Sequence, residues 1–297
     1  MVDSSFAPLL TPIHGPVPEG HPPWKDNAFL AFWDVNNDLF GSVHVSTSPN
    51  AGGRRARFSI SLHGKVIEVI EDLASGTFTS ESISFEMGAP ITVRTPRLSG
   101  VIEEHPRFGL ADYVTGSKVM PELVPGERLS HYQHATNVTG TLTVDGEQIK
   151  LTGAGFPDRT WGYRDESANM SEYLAVMIVA PEAAISGLRL RDTHGQEFTE
   201  GFVTRADGSA TPIEEIAVTR DASSLCAGLA LGLVGNSHLE ARNIGRRGGF
   251  WAPMGWTRRG PSLGEFDEFA EFTVGDGTGG SAEAFGMIAH GIMRALY

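Results

Sequence analysis

Alternation of apolar and polar residues at a period of two recurs along the chain and constrains its fold more than any other feature. Phe58, Ile60 and Leu62 alternate with Ser59, Ser61 and His63, and Leu142 and Val144 alternate with Thr141 and Thr143. Successive side chains of a strand point to opposite faces, so each run predicts a strand with one buried face. Val66–Ile70, Ile91–Val93, Tyr173–Val179 and Leu188–Arg191 extend the set, and Asp145-Gly146, Asp207-Gly208 and Asp276-Gly277 supply turn signals between strand-like runs. The 36 glycines in 297 residues, against a usual share of roughly 7%, suit turns and bent strands better than long helices. The expected class is all-β and antiparallel, with few short helices. Ile213–Val218 and Leu225–Leu233 are the helical candidates, Phe266–Phe272 fits a helix or a strand, and Ala284–Leu296 fits a closing strand or a short helix.

The first 24 residues hold Pro8, Pro12, Pro16, Pro18, Pro22 and Pro23, too many missing N–H donors for regular structure. They predict an extended arm over the first domain, followed by an N-terminal β-domain over 25–165 and a C-terminal one over 166–297. With 40% hydrophobic and 20% charged residues the chain is globular in composition. A net charge of −13 repels phosphate backbones and anionic surfaces, so nucleic acid is not an expected partner. The single cysteine, Cys226, excludes an intrachain disulfide. Neither a signal peptide nor an apolar run of membrane-spanning length is evident, which gives a cytoplasmic expectation with no membrane span. The oligomeric state stays open, a homodimer being one option.

Chemistry-bearing residues are densest in Gly153-Ala-Gly-Phe-Pro-Asp158-Arg159-Thr-Trp161-Gly162-Tyr163-Arg164-Asp165. Asp158 near an indole would be a carboxyl in a partly apolar setting, raised towards a usable proton donor. An ion pair with Arg159 or Arg164 would instead keep it ionised, and a purely structural Asp-Arg lattice is the competing reading.

The stretch from His131-Tyr-Gln-His134 through the Val144-Asp-Gly146 hairpin to Gly153-x-Gly-x-x-Asp158-x-x-Trp161-Gly162 resembles the hydroxyneurosporene synthase family, the carotenoid 1,2-hydratases, and its AttH-like relatives. The resemblance implies two consecutive lipocalin-like β-barrel or sandwich domains, a fold also similar to that of fungal Diels-Alderases. It implies Asp158 as proton donor or electrostatic steerer, Trp161 as a wall beside a cationic centre, and Arg164 as a holder of Asp158 or Asp165. Where the family commonly has histidines flanking the aspartate, this chain has Pro157 and Arg159. A histidine relay at those two positions is therefore absent, while proton transfer to an alkene stays open. The family places polar residues near His134, which makes it a cavity-lining candidate, and relatives carry an acidic residue near the place of His290. If its strand points inward, His290 becomes an acid–base partner; otherwise it is a half-exposed strand histidine.

His131 and His134 are three apart, and in a strand such residues face opposite ways, which argues against a shared metal. Trp33, Trp251 and Trp256 belong to aromatic runs that would mostly form core and partly line a cavity for an extended hydrophobic ligand. Phosphate-loop, nucleophile-elbow and zinc-protease signatures are absent. Two readings follow: a cofactor-independent, metal-free hydratase, isomerase or cyclase for an isoprenoid, polyketide or steroid-like molecule in a pocket at the domain junction, with Asp158, Trp161 and His290 as catalytic candidates and Trp33, His134, Arg164, Trp251 and Trp256 as binding candidates; or a carrier of the same ligands.

Overall fold

The computed structural model describes residues 6–113, 122–165, 170–256, 260–277 and 280–296, without the side chains of 253–263 and 293–296. Among these, residues up to Arg164 form one compact unit and those from Asp165 a second.

The first unit is a nine-stranded antiparallel sheet. Its strands are β1 (Trp24–Asp34), β2 (Leu39–Thr47), β3 (Arg55–Leu62), β4 (Lys65–Asp72), β5 (Ile83–Ser84), β6 (Ile91–Arg94), β7 (Leu98–Asp112), β8 (Ser130–Val144) and β9 (Glu147–Tyr163). Their spatial order is β4-β3-β2-β1-β9-β8-β7-β6-β5, so the last long strand returns to pair with the first. One face carries the apolar half of the alternation: Leu30, Phe32, Val43, Phe58, Ile60, Val138 and Leu142 are fully buried in a single cluster. The opposite face carries the polar half, and much of it is buried too, including Ser42, Ser59, Arg57, Gln133, Asp158 and Thr160. Burying that many polar groups is unfavourable unless they bond to one another, which sets up the chemistry described below.

The second unit is a closed eight-stranded barrel of β10 (Met170–Val179), β11 (Ala183–Asp192), β12 (Glu197–Arg205), β13 (Ala210–Arg220), β14 (Cys226–Leu233), β15 (Ser237–Trp256), β16 (Gly260–Gly275) and β17 (Ser281–Leu296). Its interior is filled by Leu174, Val176, Ile178, Ile185, Val203, Leu231, Phe272 and Ile288. The chain is thus all-β, with two lipocalin-like domains, one curled and open and one closed. Helical structure amounts to short 3-10 turns such as Val35–Asn37.

Both helical candidates are strands. Ile213–Val218 lies in β13 and Leu225–Leu233 almost wholly in β14, where alternate residues Leu229, Leu231 and Leu233 face the barrel core and the glycines fall on the other parity. Phe266–Phe272 belongs to β16, and the C-terminal stretch forms β17, which closes the barrel on β10. No helix is long and apolar enough to cross a membrane.

From residue 7 through 23 the proline-rich arm carries no strand or helix, and it is tied to the first unit. Phe6 and Leu9 are buried. The His14 amide donates to Asp26 Oδ2 at 2.8 Å, and Arg159 Nη2 donates to the Thr11 carbonyl at 3.2 Å.

Candidate active site

The register of β8, β9 and β1 decides what Asp158 meets. Asp158 pairs with Gln133 on β8 and Phe29 on β1, and Thr160 pairs with His131. These residues share the polar face, so the carboxylate lies among three donors. Its Oδ2 is 2.5 Å from His131 Nε2 and accepts from Gln133 Nε2 at 2.7 Å, while Oδ1 accepts from Thr160 Oγ1 at 2.7 Å. Burial alone would push the Asp158 carboxyl up, but the charge of His131 and the three hydrogen bonds outweigh it and hold the group below its ordinary value of 3.8. The shift is opposite to the one an apolar setting beside Trp161 would produce.

His131 is 9% exposed and its ring stacks on Tyr113 with centroids 4.5 Å apart. With Nε2 engaged by a carboxylate, Nδ1 is the ring nitrogen left for a third party. Further along the same face, Phe29 meets His44 edge to face. Burial first, then the charges of Arg164, Arg55 and Arg57, bring the His44 pKa down to about 4, so that ring is neutral at physiological pH.

The other motif residues face away. Trp161 and Arg159 are odd-numbered on β9 and point to the apolar side, so neither touches the Asp158 carboxylate. Arg159 is fully buried, paired with Asp26, bonded to the Asn27 carbonyl at 3.0 Å and set over the Trp161 ring at 4.9 Å. Trp161 stacks on His14 and Tyr132. The Asp-Arg lattice therefore exists, but it joins Arg159 to Asp26 beside the arm. The motif glycines serve close approach: a Cβ on Gly153 would lie 1.9 Å from the Trp33 carbonyl, and one on Gly155 would lie 2.6 Å from Val138.

His134 points opposite to His131, as the three-residue spacing requires, and its Nε2 lies 2.6 Å from the Phe108 carbonyl. Trp33 is buried on the Asp158 face, four residues along β1 from the Phe29 pairing position, or roughly 13 Å at strand rise. Arg164 acts on this face through its charge on His44. His290 belongs to the second unit, inside the barrel, 7% exposed rather than half-exposed, with Nε2 3.0 Å from Glu268 Oε2. Trp251 is 69% exposed on β15, and the Trp256 side chain lies outside the described residues. No group of three or more His, Cys, Asp or Glu side chains is arranged to hold a metal ion among the described residues. Gln133, Thr160 and Glu268 were absent from the sequence-derived candidates, and His131 was weighed there beside His134, with His134 preferred; the signal for His131, Gln133 and Thr160 was the strand register, which sequence patterning leaves free.

The family model described as "Domain of unknown function (DUF7064)" matches residues 13–227. No curated protein sequence matches at a significant level. Similar solved structures include an AttH-like protein from Nitrosomonas europaea, 13% identical over 95% of this chain and 99% of that one, with a TM-score of 0.61. CghA in complex with Sch210972 is 14% identical over 96% and 95%, with a TM-score of 0.64. Kievitone hydratase from Nectria haematococca is 14% identical over 95% and 93%, with a TM-score of 0.60. At these identities the likeness is one of fold.

Proposed function

The chain belongs to the DUF7064 family, and we propose that it is an enzyme acting on a hydrophobic small molecule by proton transfer at carbon, with His131 as the acid–base group and Asp158 as its partner. The observation that carries this is the buried His131–Asp158 pair, 2.5 Å apart, with both carboxylate oxygens occupied. A carboxylate bonded in this way has no proton to give and no oxygen left over. Its part is to fix the imidazole and to stabilise the positive charge when His131 gains a proton.

In a hydration, His131 delivers its proton to one alkene carbon and leaves the adjacent carbon cationic. Water adds there and returns its extra proton to His131, so the enzyme ends unchanged; dehydration is the reverse. Isomerisation and cyclisation use the same first proton, with loss of a different proton or closure by an internal alkene in place of water. Phe29 and Phe156, on the Asp158 face, are apolar and aromatic and suit a terpenoid or polyketide skeleton. The name of one solved structure with this fold, kievitone hydratase, agrees with the reaction class, as does the sequence resemblance to carotenoid hydratases.

The test incubates wild type, His131→Gln and Asp158→Asn with prenylated phenols, polyenes and linear polyketides in D2O, with products read by mass spectrometry. Wild type is expected to add deuterium at carbon, or to add or remove water. His131→Gln should lose this, and Asp158→Asn should slow it on the order of a hundredfold. Turnover by His131→Gln at the wild-type rate would refute the assignment. Tight binding without any product favours a carrier built on the same face.

A further inference from the structure

The nine-stranded sheet of the first unit ends on β4, which pairs with β3 alone among the described residues. The hairpin between them turns on His63 and Gly64, both at positive φ, so Leu62 and Lys65 flank a two-residue loop and form a hydrogen-bonded pair. Alternation then fixes the rest of the strand. Lys65, Ile67, Val69 and Glu71 bond to β3, while Val66, Glu68, Ile70 and Asp72 turn their N–H and C=O groups outward. Leu73 continues the pattern, its N–H donating to the Arg54 carbonyl at 3.4 Å. Among the described residues, no backbone group of the four outward residues is bonded outside the β3–β4 ladder.

This edge is open and unguarded. Val66 is 47% and Ile70 54% exposed, and Lys65, Glu68 and Asp72 are exposed as well. A row of outward amides templates another strand, so exposed edges ordinarily carry a proline, a bulge or an unpaired charge, or are cut very short. The opposite edge of the sheet, β5, has only two residues. By contrast β4 has eight, in unbroken register and without proline. Its central charge is already paired: Arg57 donates to Glu68 Oε1, and so does Ser59 Oγ at 2.8 Å. The carboxylate that would repel an incoming strand is therefore neutralised from within its own chain.

We propose that β4 is a self-association edge, at which two copies of this chain pair β4 with β4 antiparallel about a twofold axis at Glu68, joining their nine-stranded sheets. The outward residues set the register. With Glu68 opposite Glu68 of the second copy, Val66 meets Ile70 at both ends on one face, and Lys65 meets Glu71 on the other. A shift of two residues puts Val66 opposite Asp72 or Glu68 and loses both matches, and a shift of one sets outward groups against inward ones. Lys65 has Asp145 as an ion-pair partner, and Glu71 accepts from Ser80 Oγ at 2.6 Å and the Ser82 amide at 2.9 Å. An ammonium has three donors and a carboxylate about four acceptor sites, so both keep capacity for each other. The interface does not depend on the His131–Asp158 assignment.

The test follows the full-length protein by sedimentation velocity from about 1 to 200 μM. The salt is about 0.15 M, where repulsion between two copies of net charge −13 is screened beyond roughly 8 Å. A monomer–dimer equilibrium is expected within that range. Ile70→Lys, at an exposed position that folding tolerates, should raise the dissociation constant at least about tenfold, because the twofold axis removes two Ile70–Val66 pairs at once. Val35→Lys, the same change at another exposed apolar residue of the unit, should leave it unchanged. A zero-length carbodiimide cross-linker then reads the register by peptide mass spectrometry, through a Lys65–Glu71 link in the dimer. Within one chain these residues are six apart along a strand, roughly 20 Å, so the link forms only between copies. A protein that stays monomeric throughout, a dimer that survives Ile70→Lys, equal weakening by Val35→Lys, or a dimer lacking the Lys65–Glu71 link would each overturn the proposal.

Discussion

Glu104 offers a sharp test of the electrostatics of the first unit. It lies on β7 opposite Val138, on the apolar face with Ile102, and its Oε1 is enclosed without a hydrogen-bond partner. Burial pushes its carboxyl from 4.5 up to about 8. The folded state therefore holds a proton that the unfolded chain releases across that interval. Because the folded state binds more protons there, stability falls as pH rises from about 4.5 to 8 and stays low above it. At about 1.4 kcal/mol per pH unit of displacement, the loss has a ceiling of about 5 kcal/mol. Part of the Glu104 side chain reaches the surface and water lowers the penalty, so about 2–3 kcal/mol is the working expectation.

Glu104→Gln keeps the shape and removes the titration. Urea unfolding at pH 5, 7 and 9, followed by tryptophan fluorescence, compares the two proteins. Trp24, Trp33 and Trp161 report the first unit, and replacing Trp251 and Trp256 by Phe removes the signal of the second. The midpoints should nearly coincide at pH 5 and separate by about 1 M at pH 9, with Glu104→Gln the more stable, for a slope of roughly 2–3 kcal/mol per M. A difference between the two proteins that stays constant from pH 5 to 9 would refute the reasoning, because Glu104 would then titrate alike folded and unfolded.

Three further outcomes follow from the same geometry. His44, lowered to about 4 by burial and then by Arg164, Arg55 and Arg57, should cost stability as pH falls from about 6.5 to 4, since the unfolded chain binds the proton first; His44→Gln should flatten that acid limb in pH-dependent melts. Arg159→Met should destabilise the first unit by about 3–5 kcal/mol by leaving Asp26 charged and buried, and adding Asp26→Asn should restore part of it; additive losses in the double mutant would count against the pairing. Gly153→Ala should abolish folding of the first unit, because its Cβ would lie 1.9 Å from the Trp33 carbonyl, a backbone atom that cannot yield without breaking the β1–β9 ladder; a soluble variant with a wild-type melt would contradict this.

The all-β class was legible because period-two alternation is a direct consequence of strand geometry, and the same parity rule separated His131 from His134. Applied to the motif itself, the rule also separates Asp158 from Arg159 and Trp161, which adjacency in the sequence had suggested as neighbours. The Asp158 partners were not legible: Gln133 and His131 reach it only because β8 pairs with β9 in one register, and a slip of one residue would have turned Tyr132 to it instead. The helical misreading of β13 and β14 has a related cause. Short apolar runs such as Leu229, Leu231 and Leu233 interrupted by glycine fit either period until their partners in the closed barrel fix the face.

The two units place their histidine–carboxylate pairs differently, and this bears on which can do chemistry. Glu268 is bonded by Arg246, which itself pairs with Asp221, so His290 borders a chain of ion pairs that holds the carboxylate by charge. Arg159 points through to the other face and acts on Asp158 only through its charge. The negative charge of Asp158 is balanced by His131 with help from two neutral donors, Gln133 and Thr160. The charge of His131 thus acts directly on Asp158, the contact that a proton-transfer site needs. For Glu268 the arginine already supplies the opposite charge, and a proton gained by His290 is worth correspondingly less. That asymmetry is why catalysis is assigned to the first unit.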